Sequence, residues 1–219
     1  MLTYEEIRSN GDIRTYIKSA DASLEALGYT EHSFAHVTKV AETAADILAA
    51  LGYSAREIEN AKIAGFLHDI GNLVNRVDHS QSGAVMAFRI LDKLGMSAPD
   101  IAEIVTAIGN HDEGTGVPVN AISAALILAD KSDVRRSRVR NHDISTFDIH
   151  DRVNYSVEEA SLDITEDRRG IVLTLKVDGS IGSVMDYFEI FLGRMIMCRK
   201  AAEKLGLYFS LVINGQKLL

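Results

Sequence analysis

Apolar residues recur every three to four positions through the first 140 residues, the period of helices that bury one side. Thr3 to Glu6 reads as a capping box, and Gly28 is placed to stop a helix carrying Ile13, Ile17, Ala20, Leu24 and Leu27 on one face. Phe34, Val37, Val40, Ala41, Ala44, Ile47, Leu48 and Leu51 keep the same spacing up to Gly52, and Ser54 to Glu57 opens the next helix. Further helical patterns cover residues 82–94, 99–108 and 120–134. With two prolines in the chain, these add up to an antiparallel helical body over residues 1–140.

The pattern changes after Arg140. Residues 141–151 are polar without periodicity and read as a linker to a small α+β unit, residues 152–219. Val153, Tyr155 and Val157, then Leu162 and Ile164, alternate as a half-buried strand does, with a bulge near Ala160, and residues 171–177 read as its hairpin partner. A helix over residues 183–205, with Val184, Phe188, Phe191, Leu192, Met195 and Ile196 on its apolar face, and a strand at 207–213 before Asn214-Gly215 complete a ββαβ order. An exposed strand edge in this unit could pair with a second copy, so a homodimer is expected; the unit could instead cover the mouth of a site.

Composition narrows the classes. A chain of 219 residues with 47% hydrophobic content has ample material for a core. The net charge of −8 argues against stable nucleic-acid binding, which needs an extended basic face. Cys198 is the only cysteine, so neither a disulfide framework nor a thiolate metal site is expected. No apolar run reaches the roughly 18 residues that span a membrane, and the first residues lack the basic and apolar regions of a signal peptide; a cytoplasmic protein is expected.

The candidate chemistry lies in an ordered set of nitrogen and carboxylate ligands: His36, His68-Asp69, His79, His111 and Asp130. Four His-Asp doublets occur where roughly 0.5 would arise at random, so the doublet alone selects nothing. Context does: His68-Asp69 closes the apolar run Ile63 to Leu67, whereas His142 and His150 sit in the polar stretch and read as solvated. An unpaired carboxylate at the end of an apolar helix is costly to bury unless a cation or hydrogen-bond donors compensate it, which applies to Asp69 and, after Ala124 to Ala129, to Asp130. Lys131 or a nearby arginine is the alternative partner for Asp130. His36 borders an apolar face, and His32, one turn earlier, could share the site or cap the helix. Five basic residues between Lys131 and Arg140 follow Asp130. Helical spacing brings Lys131, Arg135 and Arg138 toward the site as phosphate-binding candidates and leaves Arg136 and Arg140 facing solvent; Arg76 is a further candidate.

On these residues the chain, from about His32 to Arg138, resembles the HD superfamily of metal-dependent phosphohydrolases. His36 with Val40-Ala41 is similar to the family's first histidine motif, His68-Asp69-Ile70-Gly71 to its defining doublet and Ala129-Asp130 to its closing aspartate. The resemblance implies a mainly α fold, an HD-domain helical bundle here followed by the small α+β unit, with His36, His68, Asp69 and Asp130 holding one metal. His79 and His111 are similar to the extra histidines of members that hold two. A partial resemblance extends to the HD-GYP branch, in which Glu113 to Pro118 is a shortened form of the branch's loop; Val117, Asp112 and Asn72 stand where a tyrosine, a histidine and a lysine are usual.

Imidazole and carboxylate donors without thiolate suit one or two ions of Fe, Mn, Co, Ni or Zn. The expected function is a phosphohydrolase cleaving a phosphomonoester or nucleotide-type phosphodiester with a metal-activated hydroxide, His68 and Asp69 being central to catalysis. Its partner would be a small phosphorylated substrate such as a nucleotide. The alternative is a catalytically silent sensor that binds metal and nucleotide and signals through its C-terminal unit.

Overall fold

The computed structural model describes residues 2–219. Helix α1 (Tyr4–Ser9) starts at the expected capping box, in which the Glu6 N–H donates to the Thr3 hydroxyl and the Thr3 N–H to the Glu6 carboxylate. Asn10 caps α2 (Gly11–Ala26), and Ser33 caps α3 (Phe34–Ala50), whose buried stripe runs from His36 and Val37 through Val40, Ala41 and Ala44 to Ile47 and Leu48. The capping box of Ser54 and Glu57 opens α4 (Ala55–Leu67). A 3₁₀ turn (Ile70–Leu73) leads to α5 (His79–Lys93), α6 (Ala98–Gly109) and α7 (Ala121–Ser132). Helix α7 is buried on all sides from Ile122 to Ala129, apolar but for Ser123, as a helix at the centre of a body must be, and packs against α3, α4 and α6.

Two glycines let backbones meet. A Cβ on Gly65 would lie 2.6 Å from the Ala41 Cα, so α3 and α4 pack there with no side chain between them. A Cβ on Gly71 would lie 2.0 Å from the His79 carbonyl oxygen, which is why the turn after the doublet can lie against the start of α5.

Several expectations need correction beyond α7. The helix expected to reach residue 134 ends at Ser132, because the Asp133 carboxylate turns inward to accept from His36, Lys39 and Arg135. Residues 141–151 hold a 3₁₀ turn (Ile144–Thr146), buried Phe147 and the start of α8 (Ile149–Ser156). Val153 and Tyr155 are therefore helical. Val153 and Val157 are four apart and fit a helix face as well as alternate strand positions, and Asp148 selects the helix by accepting from the Asp151 N–H.

The strands β1 (Val157–Ile164) and β2 (Gly170–Val177) form the expected hairpin, with the register shift between Val157 and Glu159 rather than near Ala160. Helix α9 (Val184–Lys204) crosses over to β3 (Tyr208–Ile213), which pairs parallel to β2. A two-residue strand β4 (Gln216–Lys217) follows the Asn214-Gly215 turn, both of whose residues have positive φ, and extends the sheet to the order β1-β2-β3-β4. The face of α9 that is buried carries Tyr187, Phe191, Met195, Cys198, Ala201 and Ala202, while Val184, Leu192 and Ile196 are exposed. Both faces of this helix are apolar, so periodicity could not choose between them. The buried residues of the helical body and of the C-terminal unit form one core cluster. No helix among the described residues is long and apolar enough to cross a membrane.

Gly65→Ala is expected to lower stability by at least about 2 kcal/mol, read from the denaturant midpoint, because the methyl group meets backbone that cannot move aside. Asp100, at the start of α6, accepts from Arg56 Nε at 2.7 Å and Asn60 Nδ2 at 3.1 Å on α4. The Arg56 contact holds its carboxyl below the usual carboxylate range. A depressed folded pKa means that the stabilisation is complete above about pH 4 and lost as pH falls below it. Asp100→Asn is therefore expected to cost about 1 kcal/mol at neutral pH and to flatten the acid side of a stability–pH profile.

Candidate metal centre

The ends of four helices and one inter-helix turn bring the six expected ligands together. His36 stands in the first turn of α3, His68 caps α4 and Asp69 follows it. His79 is the first residue of α5, His111 follows α6 and Asp130 lies in the last turn of α7. Asp69 faces the histidines with both oxygens. His68 Nε2 is 3.1 Å, His36 Nε2 3.6 Å and His32 Nε2 4.0 Å from Oδ2, whereas His79 Nε2 is 3.5 Å and His111 Nε2 4.0 Å from Oδ1. Asp130 Oδ1 lies 3.4 Å from His36 Nε2 and 3.7 Å from His68 Nε2.

Each of these imidazoles is held by its other nitrogen. Nδ1 of His68 donates to the Gly65 carbonyl at 2.8 Å, that of His79 to Arg76 at 3.1 Å, that of His111 to Ile108 at 2.6 Å and that of His32 to Thr30 at 2.7 Å. His36 Nδ1 donates to Asp133 at 2.8 Å. Carbonyls and carboxylates can only accept, so each Nδ1 carries a proton, and all five Nε2 atoms point toward the Asp69 and Asp130 carboxylates. Burial pushes the His68 pKa down, but Asp69 and Asp130 outweigh it and raise it. Burial lowers the pKa of His32 and His79 and brings that of His111 down to about 3, keeping these rings neutral at pH 7. The Nε2 atoms of His79 and His111 face one another at 3.2 Å, and those of His36 and His68 are buried without a hydrogen-bond partner. Acceptor nitrogens left facing one another and two carboxylates are what a divalent cation needs and what a hydrophobic core does not tolerate. The groups His36, His68, Asp130 and His68, Asp69, His111 each place their ligand atoms within 4.8 Å of one another. The donor set fits such an ion.

Burial raises the pKa of the Asp69 carboxyl, but the opposite charge and hydrogen bond of His68 lead the contacts that outweigh it and hold the group well below the carboxylate range. Asn72 adds a hydrogen bond from Nδ2 to Oδ1 at 2.9 Å. Asp130 is likewise held low, with Lys131 Nζ 2.7 Å from its Oδ2. The ion pair with Lys131 and the approach of the two histidines thus coexist, one on each oxygen. Lys131 also reaches Glu113 Oε2 at 2.6 Å; Lys131 and Arg194 together outweigh burial there and bring the Glu113 carboxyl down to about 2.

A cleft of about 510 Å³ opens over the cluster. Arg76, Lys131 and Arg138 line it as expected, but Arg135 does not: Asp133 and Glu31 hold it at 3.0 and 3.2 Å. Arg138 arrives through the 3₁₀ turn Arg136–Arg138 rather than along a helix face, and donates to the carbonyls of Glu31 and Asp133. Arg136 and Arg140 do not simply face solvent. Arg136 bonds the Tyr155 carbonyl and stacks on its ring, and Arg140 pairs with Asp21 and Glu25. His150 lines the cleft together with Asp148 and Asp151, although its surroundings in the sequence read as solvated loop.

Sequence reasoning missed Asp133, Glu113, Arg194 and the contact of Asn72. Asp133 was the lone acid of a basic run, a signal that could have marked it as the run's buried counter-charge. It is fully buried among His36, Lys39 and Arg135. Asp133→Asn is expected to cost about 3 kcal/mol, since it removes the charge that the buried His36 ring and the buried Arg138 guanidinium face; a thermal melt at neutral pH checks this.

The sequence model of the HD domain family matches residues 33–159, a stretch that runs from the cap of α3 through α8 into β1. Over 213 residues the chain is 25% identical to an uncharacterized protein of Methanocaldococcus jannaschii, with 86% of this chain and 80% of that protein covered. The crystal structure of a predicted HD superfamily hydrolase from an uncultured Thermotogales bacterium is 24% identical, with a TM-score of 0.42 over 62% of this chain and 75% of that one.

Proposed function

From the premise that the chain belongs to the HD domain family, whose members are generally metal-dependent phosphohydrolases, we propose that it hydrolyses a phosphomonoester or a nucleotide-type phosphodiester. The observation that carries this reading is the set of five imidazole Nε2 atoms directed at Asp69 and Asp130 with their Nδ1 atoms already bonded. HD domains bind divalent metals, and here His36, His68, Asp69 and Asp130 would hold one ion. His79 and His111, which face Asp69, would hold a second together with it, and His32 lies near enough to Asp69 to join the first group. When bound, such ions supply a water of lowered pKa and positive charge opposite the phosphoryl oxygens.

The remaining work falls to the protein. Asp133 and the carbonyls of Gly65, Arg76 and Ile108 keep the rings turned so that lone pairs face inward. Asn72 orients Asp69, and Lys131 orients Asp130 from the side away from the histidines. Arg76 lies within 3.4 Å of His79 Nε2 and over the Tyr29 ring, which places a guanidinium beside the cluster to receive phosphoryl oxygens. Arg138, buried and fixed through two carbonyls, has an unpaired Nη2 among the described residues for the same purpose. The cleft volume lies within the roughly 300–1,000 Å³ of small-molecule sites, so the leaving group can be as large as a nucleoside.

Protein purified without added metal should carry one to two transition-metal ions per chain by elemental analysis and release nitrophenol from nitrophenyl phosphate or bis(nitrophenyl) phosphate. Asp69→Ala should lower that activity by more than about 100-fold, beyond the cost of losing an outer-shell partner, and should reduce bound metal. Protein that takes up no metal even on reconstitution sinks the proposal. Stoichiometric metal without turnover of either ester would instead support a metal-binding sensor.

A further inference from the structure

Helix α9 belongs to the C-terminal unit, yet its residues Phe191 and Arg194 line the cleft above the histidine cluster. Arg194 donates from Nε to Glu113 Oε1 at 3.0 Å, and its guanidinium lies over the Phe191 ring, 4.4 Å from the centroid. These contacts hold the fork from two sides and use one of its five N–H donors. Both Nη groups have no hydrogen-bond partner among the described residues. Glu113 takes Lys131 on its other oxygen, and Lys131 takes Asp130, so Arg194 stands three contacts out from the cluster, beyond Arg76 and Lys131. Burial lowers the pKa of the Arg138 guanidinium, and Arg194 adds like-charge repulsion to that shift. Both forks line the same cleft, so an anion bound between them would pair with each.

We infer that Arg194 is a specificity-determining residue that binds a second oxyanion of the substrate, a phosphate or a carboxylate, while the scissile phosphoryl group sits at the histidine cluster. This rests on the phosphohydrolase reading given above. A cleft of about 510 Å³ has room for both groups, and an end-on pair of Nη donors matches the two oxygens of either anion. The C-terminal unit thereby supplies a wall of the substrate site.

The test is calorimetric titration of the metal-loaded full chain with orthophosphate, methylenediphosphonate and phosphonoacetate. Arg194→Gln should weaken at least one of the two-anion probes by about tenfold or more, the cost of losing a hydrogen bond between charged groups, and orthophosphate by less than about threefold. Arg194→Lys should recover only part of the loss, since it keeps the charge without the fork. A loss confined to methylenediphosphonate identifies the second group as phosphoryl, and one confined to phosphonoacetate identifies a carboxylate. Glu113→Gln separates direct binding from anchoring of the Glu113 loop: it should leave the ratio of two-anion to orthophosphate affinity near the wild-type value. Equal losses for all three probes, or a Glu113→Gln variant that reproduces the Arg194→Gln ratio, would overturn the inference and leave the phosphohydrolase reading standing. Wild-type protein that takes up metal but binds no orthophosphate would overturn both.

Discussion

Where α4 crosses α3, the Gly65 and Ala41 backbones touch, and the position of the site follows from that contact. His36 lies about one and a half turns before Ala41 and His68 just under one turn after Gly65, so this close crossing helps bring the two rings to 5.2 Å between centroids. The Gly65 carbonyl also takes the His68 Nδ1 proton, which makes one residue responsible for both the helix approach and the ring orientation. Metal–ligand distances tolerate deviations of about 0.2 Å, far less than the width of a methyl group. A side chain at this position would open the site as well as the core.

Three carboxylates are brought close together at low exposure, and the structure treats them differently. Asp133 is neutralised by fixed cations, Lys39 and Arg135, and serves to hold His36. Asp130 is half satisfied, with Lys131 on one oxygen and acceptor nitrogens opposite the other. Asp69 has Asn72 as a donor, and among the histidines turned toward it His32, His79 and His111 are neutral at pH 7. His68, whose pKa Asp69 and Asp130 raise, offsets part of this charge, and the rest is left uncompensated where the lone pairs meet. Burying charge in this state costs several kcal/mol per group, and a divalent cation would remove that cost.

The C-terminal unit is joined to this centre by packing and by charge. Helix α9 lies against α7 through small and apolar residues, and Arg194 on its flank ends a chain of ion pairs that runs through Glu113 and Lys131 to Asp130. Helix α8 places Asp148, His150 and Asp151 on another part of the cleft. The candidate ligands therefore lie in the helical body, while segments after Arg140 supply part of the cleft wall above them.

The sequence by itself determined the helices of the body, the hairpin, the crossover helix and the imidazole and carboxylate character of the six residues that the fold gathers. Capping boxes, 3.6-residue spacing and the types of donor are local properties, legible within a turn or two of the chain. Val153 and Tyr155 misled because two valines four apart satisfy helix and strand alike, and α9 misled because both of its faces are apolar. Only the tertiary structure decided that the chain leaves its helix at Asp133, that Arg135 turns away from the cleft while Arg138 enters it, and that Glu113, Asn72 and Arg194 support the centre. Those outcomes depend on which charges meet across 81 residues, as between Glu113 and Arg194, or 97 residues, as between His36 and Asp133. Electrostatic pairing acts through space, and no local pattern in the chain encodes it.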